Sequence, residues 1–175
     1  PSGIKNGQVL RLKNKGFKFV SDTDSEVIVH LIEDCFNESN DFVESVKRSF
    51  NIIEGRNAIV VLNLETKEII AARQGSPLII GVGQNNDTFI ASDVSAFLDK
   101  TKDVMYLDDG DFVLINDDIN FFSLSTGKKI TKRLVEISYV EDIADKKDYP
   151  HFMIKEIMEQ KDSLKRVIQI DDDNF

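Results

Sequence analysis

From residue 56 to residue 135 the chain is a series of short apolar and β-branched runs broken by turn clusters, none of them long enough for the helix of a globular core. Ala58-Ile59-Val60-Val61-Leu62 lies at the centre of a run from 56 to 64, and Glu65-Thr66-Lys67 makes the polar turn after it. Runs at 68–73 and 78–82 flank Gly75-Ser76-Pro77, and a run at 88–91 follows Asn85-Asn86-Asp87. Four more runs, at 104–107, 112–115, 119–124 and 129–135, are punctuated by Gly110 and Gly127. Such spacing predicts strands joined by tight turns, pairing antiparallel with their neighbours in sequence.

Helices are predicted on both sides of this region. Thr23 and Glu26 have the separation of a capping box, and Val27, Ile28, Leu31, Ile32 and Cys35 recur at three- and four-residue steps as one apolar stripe of about three turns. Asn40 is a cap candidate for a second helix carrying Phe42, Val43, Val46, Phe50 and Ile53, with Gly55 as its stop. Ser92 starts a short helix reaching Leu98, and Asp148-Tyr149-Pro150 opens a last one with Phe152, Ile154, Ile157, Met158 and Leu164. Phe17 to Val20 reads as a short strand, the basic stretch 1–16 receives no assignment, and 171–173 reads as a frayed acidic tail. Strands in two groups, with helices before, between and after them, suit two packed sheets under helical layers better than a parallel series. The fold class expected is α+β.

Composition narrows the function classes. A formal charge of −9 opposes non-specific attraction to nucleic acid. No run approaches a membrane span, and no leader is recognised, so a cytoplasmic protein is expected. One cysteine, Cys35, leaves no intrachain disulfide, and with only His30 and His151 beside it a zinc site lacks ligands. No metal or cofactor is expected.

Spacing alone assembles no active site. Gly81-Val82-Gly83 lacks the further glycine and the lysine of a phosphate loop. Asp108-Asp109-Gly110-Asp111 and Asp117-Asp118 lack the alternating ligands of a calcium loop and read as solvated turns. Cys35 lies on an apolar stripe with no basic neighbour, as a core residue does. Arg73, beside the Gly-Ser-Pro turn, is open to two readings, an anion ligand or a structural ion pair. Asp24 is likewise either a helix-starting carboxylate, favoured there by the dipole, or an acceptor for a ligand's ammonium group.

Four strings then carry a resemblance. Phe19-Val20-Ser21-Asp22-Thr23-Asp24-Ser25-Glu26-Val27-Ile28, Ala71-Ala72-Arg73-Gln74-Gly75-Ser76-Pro77-Leu78, Phe89 to Leu98, and Tyr149 to Gln160 are similar, in order and spacing, to strings of the glucosamine-6-phosphate synthase family's glutaminase domain. The similarity runs from about residue 16 to residue 160. It implies the N-terminal-nucleophile hydrolase αββα sandwich, incomplete here at its N-terminus, with 1–160 as glutaminase domain and 161–175 as a tail leading toward an absent sugar isomerase region. It also implies a parent that moves the amide nitrogen of glutamine to fructose 6-phosphate, assembles as a homo-oligomer and contacts neither nucleic acid nor membrane.

In that family an N-terminal cysteine attacks the glutamine amide, with its own amino group as base and an oxyanion hole for the developing charge. By motif match Asp24 holds the glutamine α-amino group. The family's Asn-Gly oxyanion pair is represented by Asn6-Gly7, with Ser2-Gly3 competing for the same alignment. Residue 1 is Pro1, and the family's His-Thr-Arg-Trp segment has no counterpart, so no catalytic residue is assigned and the chain alone is expected to be inactive. The alternatives are a non-catalytic amino-acid-binding or regulatory module with the same fold, and the glutaminase part of another amidotransferase.

Overall fold

The computed structural model describes residues 6–84, 87–137, 146 and 148–172. These belong to two compact units, Pro1–Glu136 and Ile137–Phe175.

The first unit begins with α1 (Asn6–Asn14), a helix where the sequence reading made no assignment. Its C-terminus shows why a helix ends there. Gly16, at φ 96°, donates its N–H to Lys13 O at 3.0 Å, and Phe17 N–H returns to Leu12 O at 3.1 Å, so two last-turn carbonyls are satisfied. Leu12 is fully buried and packs with Val27, Leu31 and Ile53, with Phe17 beside it. Phe17–Val20 forms no strand; Phe17 and Phe19 are held against α1 and α2 instead, and Val20 is exposed.

Helix α2 (Asp24–Ser39) is longer than the three turns expected, because Asn40 takes a left-handed conformation, φ 52°, only after Ser39. Asn40 thus ends α2; the cap of α3 (Phe42–Ile52) is Asp41, whose side chain accepts the Glu44 N–H at 3.0 Å. Asp34, a charge on the buried side of α2, is paired with Arg11 at 2.8 Å and Lys15 at 2.5 Å. Burial opposes ionisation of Asp34, but the Lys15 ammonium and the Arg11 guanidinium outweigh it and hold the carboxyl below its ordinary range.

The eight strand regions predicted between residues 56 and 135 are all occupied. They become β1 (Asn57–Leu62), β2 (Ile69–Gln74), β3 (Ile79–Val82), β4 (Thr88–Ala91), β5 (Asp103–Tyr106), β6 (Asp111–Ile115), β7 (Ile119–Ser123) and, from the eighth, two short strands, β8 (Lys129–Ile130) and β9 (Val135–Glu136). The order is β1-β2-β6-β7-β8 in one sheet and β4-β3-β5-β9 in the other, every pairing antiparallel. Sequence neighbours pair within hairpins, but β2 lies beside β6 and not β3, because the chain changes sheet at Gly75-Ser76-Pro77. The run 129–135 likewise splits because the chain crosses between sheets within it.

These crossings are tied to one another. Gly110 N–H donates to Arg73 O at 3.0 Å and Leu107 N–H to Leu78 O at 3.3 Å. Arg73 donates to Leu107 O and pairs with Asp109 at 3.3 Å, while Asp109 accepts the Gly75 N–H at 2.8 Å. Lys132, on the third crossing, meets Asp108 at 2.7 Å and also Asp111. Burial opposes the charge on Lys132, yet the two carboxylates prevail and raise its pKa.

Layering follows from the two faces of the five-stranded sheet. On one face Ile70, Ala72 and Phe112 meet Ile32 of α2 and Val46 and Phe50 of α3. On the other Ala71, Val113, Ile115 and Phe121 meet Leu78, Ile80 and Leu107 of the second sheet and its flanks. Beyond the second sheet, a 3-10 turn at Val94–Ala96, capped by Asp93 and shorter than the helix expected from Ser92, brings Phe97 over Gly81 and onto Phe89. This is the two-sheet α+β sandwich the sequence implied.

In the second unit α4 (Phe152–Asp172) starts two residues after Pro150, which therefore precedes the helix, and runs unbroken past residue 160. No helix among the described residues is long and apolar enough to cross a membrane.

Two outcomes follow from this packing. A Cβ at Gly81 would stand 2.7 and 2.9 Å from the Phe97 ring and 3.0 Å from Thr101, so Gly81→Ala should cost about 1–3 kcal/mol, read as a lower urea midpoint at unchanged slope. The Asp34 pairing, with its depressed folded pKa, stabilises fully above about pH 4, the range of an unfolded carboxyl, and is lost as pH falls through the lower folded value. Asp34→Asn should therefore cost about 1–3 kcal/mol at neutral pH, and the gap to the parent should close in acid.

Candidate functional site

The residue singled out by sequence, Asp24, is the first residue of α2 and is exposed. Its carboxylate carries no hydrogen bond or ion pair among the described residues, although Arg11, Lys15 and His30 all engage carboxylates elsewhere on the same helix. A carboxylate here also lies at the positive end of the helix dipole, where negative charge is favoured.

The loop before it is organised differently from the predicted capping box. Thr23 is the N-cap residue, φ −82°, but its side chain makes no capping bond. Glu26 does not return to the Thr23 N–H; its two oxygens reach further back, Oε1 accepting the Val20 N–H at 2.7 Å and Oε2 the Ser21 N–H at 2.8 Å and hydroxyl at 2.5 Å. Ser21 Oγ in turn lies 2.9 Å from Thr23 Oγ1. Donation by the Ser21 hydroxyl, then by the Val20 amide, lowers the Glu26 pKa despite some desolvation.

One turn along, His30 Nε2 lies 3.7 Å from Glu26 and 3.2 Å from Lys18 O, and its ring sits against Phe17 and Phe19 at centroid separations of 5.1 and 4.8 Å. The segment 17–23 is thus fastened to α2 by Glu26 and His30, two residues whose roles the sequence reading missed. The signal for Glu26 was present, since its spacing to Thr23 marked it as a backbone acceptor; only the partner was misassigned.

Asn6 and Gly7 occupy the first turn of α1, and Gly7 is exposed with open space where a Cβ would stand. The side-chain bonds from α1 go to Ile52 O, through Gln8 at 3.2 Å, and to Asp34, not to Asp24. Ser2-Gly3 lies outside the described residues. Arg73 is engaged in the crossing between sheets, which favours its structural reading. Cys35 is 4% exposed and His151 is exposed just ahead of α4. Gly83 closes a hairpin by donating to Asp87 O at 2.7 Å, so the glycine pair around Val82 shapes a turn. A hollow lined by Val82, Thr88, Asn116, Asp117, Asp118 and Ile119 brings together only turn residues and strand ends.

Residues 3–99, a segment containing α1, the Ser21–Glu26 loop, both following helices and the first four strands, match the model of the glutamine amidotransferase domain. The chain belongs to that family. Among curated proteins, this amidotransferase domain is 40% identical over 159 residues to the glutamine–fructose-6-phosphate aminotransferase (isomerizing) of Thermococcus kodakarensis, covering 90% of the chain and 26% of the relative. The enzyme of that name from Pyrococcus horikoshii is 40% identical over 169 residues, covering 94% of the chain and 28% of the relative. The domain therefore spans about a quarter of the length of these proteins.

Among solved structures, the glutamine phosphoribosylpyrophosphate amidotransferase of B. subtilis, complexed with ADP and GMP, superposes on 69% of the amidotransferase domain and 26% of its own chain, with a TM-score of 0.56 and 25% identity. An allosteric regulatory enzyme of purine biosynthesis superposes over the same shares, with a TM-score of 0.56 and 27% identity.

Proposed function

We propose that this chain is the glutamine-binding part of the glutaminase domain of a glutamine:fructose-6-phosphate aminotransferase. In the reaction glutamine and water give glutamate and ammonia; the ammonia nitrogen replaces the carbonyl oxygen of fructose 6-phosphate, which leaves as water, and isomerisation gives glucosamine 6-phosphate. The observation that carries the reading is the 40% identity to such enzymes, sustained over 159 residues and nine-tenths of the chain.

Within it, Asp24 takes the α-ammonium group of glutamine. The support is chemical: an exposed carboxylate at a helix start, without a protein cation to neutralise it among the described residues, is suited to a charge-assisted pair with an amino-acid ammonium. Oxyanion donors are assigned to Asn6-Gly7, supported by the fact that first-turn helix amides have no intrahelical acceptor. The thiol that attacks the amide is not Cys35, which is buried on α2.

The remaining assignments belong to the same proposal: residues 1–160 as glutaminase domain, 161–175 leading toward a sugar isomerase domain in one polypeptide, a homo-oligomeric cytoplasmic enzyme, and no cofactor. The reading of a non-catalytic amino-acid-binding module is separated from it by experiment.

Glutamate release and glucosamine 6-phosphate formation by the full-length protein test the function, and absence of both would leave only a binding module. Asp24→Asn should raise the KM for glutamine by roughly 10- to 100-fold, the equivalent of about 1.5–3 kcal/mol for a charged hydrogen bond. An unchanged KM would remove Asp24 from the binding site.

A further inference from the structure

We propose that Glu26 is a positioning residue for glutamine recognition, holding the amide donors of Val20 and Ser21 and the Ser21 hydroxyl away from the Asp24 carboxylate so that Asp24 stays free for the ligand's ammonium group. The inference rests on the assignment of Asp24 to the α-ammonium of glutamine.

The geometry assigns each Glu26 oxygen its own work. Oε1 accepts one backbone amide, from Val20, and Oε2 accepts a second amide and a hydroxyl, both from Ser21. The Ser21 oxygen is also the near neighbour of Thr23 Oγ1 and lies 3.4 Å from the Thr23 amide. Both hydroxyls of the loop residues preceding Asp24 are therefore drawn into one ring centred on Glu26, and neither caps the helix nor reaches Asp24. Glu26 is itself 14% exposed and is steadied by His30, whereas Ser21, Thr23 and Asp24 are exposed.

Two features make this more than an ordinary helix start. In a capping box the Ser or Thr hydroxyl and the Glu carboxylate satisfy each other's helix amides. Here Thr23 makes no cap bond and Glu26 reaches beyond the N-cap residue, so the bonds are spent on shaping the loop. The arrangement also needs two acceptor oxygens. A glutamine at 26 would have the same size but would turn an NH2 toward one of the two amide groups, breaking one side of the ring and releasing the Ser21 hydroxyl toward Asp24.

The test uses the full-length enzyme and two substrates, glutamine and glutaramate, the same terminal amide without the α-amino group. Glu26→Gln should raise the KM for glutamine by roughly tenfold, as expected for disturbing one charged hydrogen-bonded contact, with kcat nearly unchanged, while leaving the constants for glutaramate where they were. Ser21→Ala, which removes the competing hydroxyl but keeps the amide, should leave the glutamine KM nearly unchanged and should lessen the effect of Glu26→Gln when the two are combined.

A variant that merely misfolds lowers kcat for both substrates and leaves each KM alone, and that pattern, or an equal rise in KM for both, would overturn the proposal. Asp24→Asn run in parallel separates the two assignments. If it too spares glutaramate and costs glutamine, Asp24 stands and Glu26 is judged on its own result; if it does not distinguish the substrates, the Asp24 assignment fails and takes the role of Glu26 with it.

Discussion

Strands β2 and β6 lie side by side at the middle of the first unit, and both of their faces are covered. Ile70, Ala72 and Phe112 point to the helices and Ala71, Val113 and Ile115 to the second sheet, so the middle of the pair is buried on both sides. A fully buried isoleucine or valine contributes about 1.5–3 kcal/mol relative to exposure, which makes this pair the densest source of stability in the unit. The helix layer, the second sheet and the crossings between sheets are all placed by what these two strands require on either side.

That requirement is also why so much of the fold was legible. A strand covered on both faces has no polar alternation, and Ile69-Ile70-Ala71-Ala72 and Phe112-Val113-Leu114-Ile115 show none. Short continuous apolar runs bounded by Gly, Pro, Asn and Asp announce such strands. What they do not announce is which strands share a sheet. The run 129–135 looked like one strand because its residues suit one, whereas the need of Lys132 to meet Asp108 and Asp111 lies in residues over twenty positions away. Pairings of that kind follow from the folded arrangement and leave no local mark.

The first helix was missed for a different reason. Its interior holds a single fully buried residue, Leu12, against a background of exposed Lys and Arg, so no stripe stood out. The clue was its end: Gly16 followed by an aromatic residue is the pattern of a left-handed helix stop with its hydrophobic contact. At the candidate site, the proposal of Asp24 comes from its neighbours in sequence, while the engagement of Glu26 with Val20 and Ser21 depends on how the loop folds back, and the spacing to Thr23 pointed to the nearer amide. Local pattern identified the acceptor correctly and the donor incorrectly.

The crossings tied together by Arg73, Asp109 and Lys132 have a topological result. The chain leaves the first sheet after β2 and returns to it at β6, so β3, β4 and β5 form a loop both of whose ends are anchored to that central pair. The second sheet cannot peel away as an independent flap, because lifting it pulls on two neighbouring strands at once. Its departure would uncover the faces of β2 and β6 that carry Ala71, Val113 and Ile115. The two sheets are thus one cooperative body by connectivity as well as by packing, and the short outlying strands β8 and β9 are where partial opening meets least resistance.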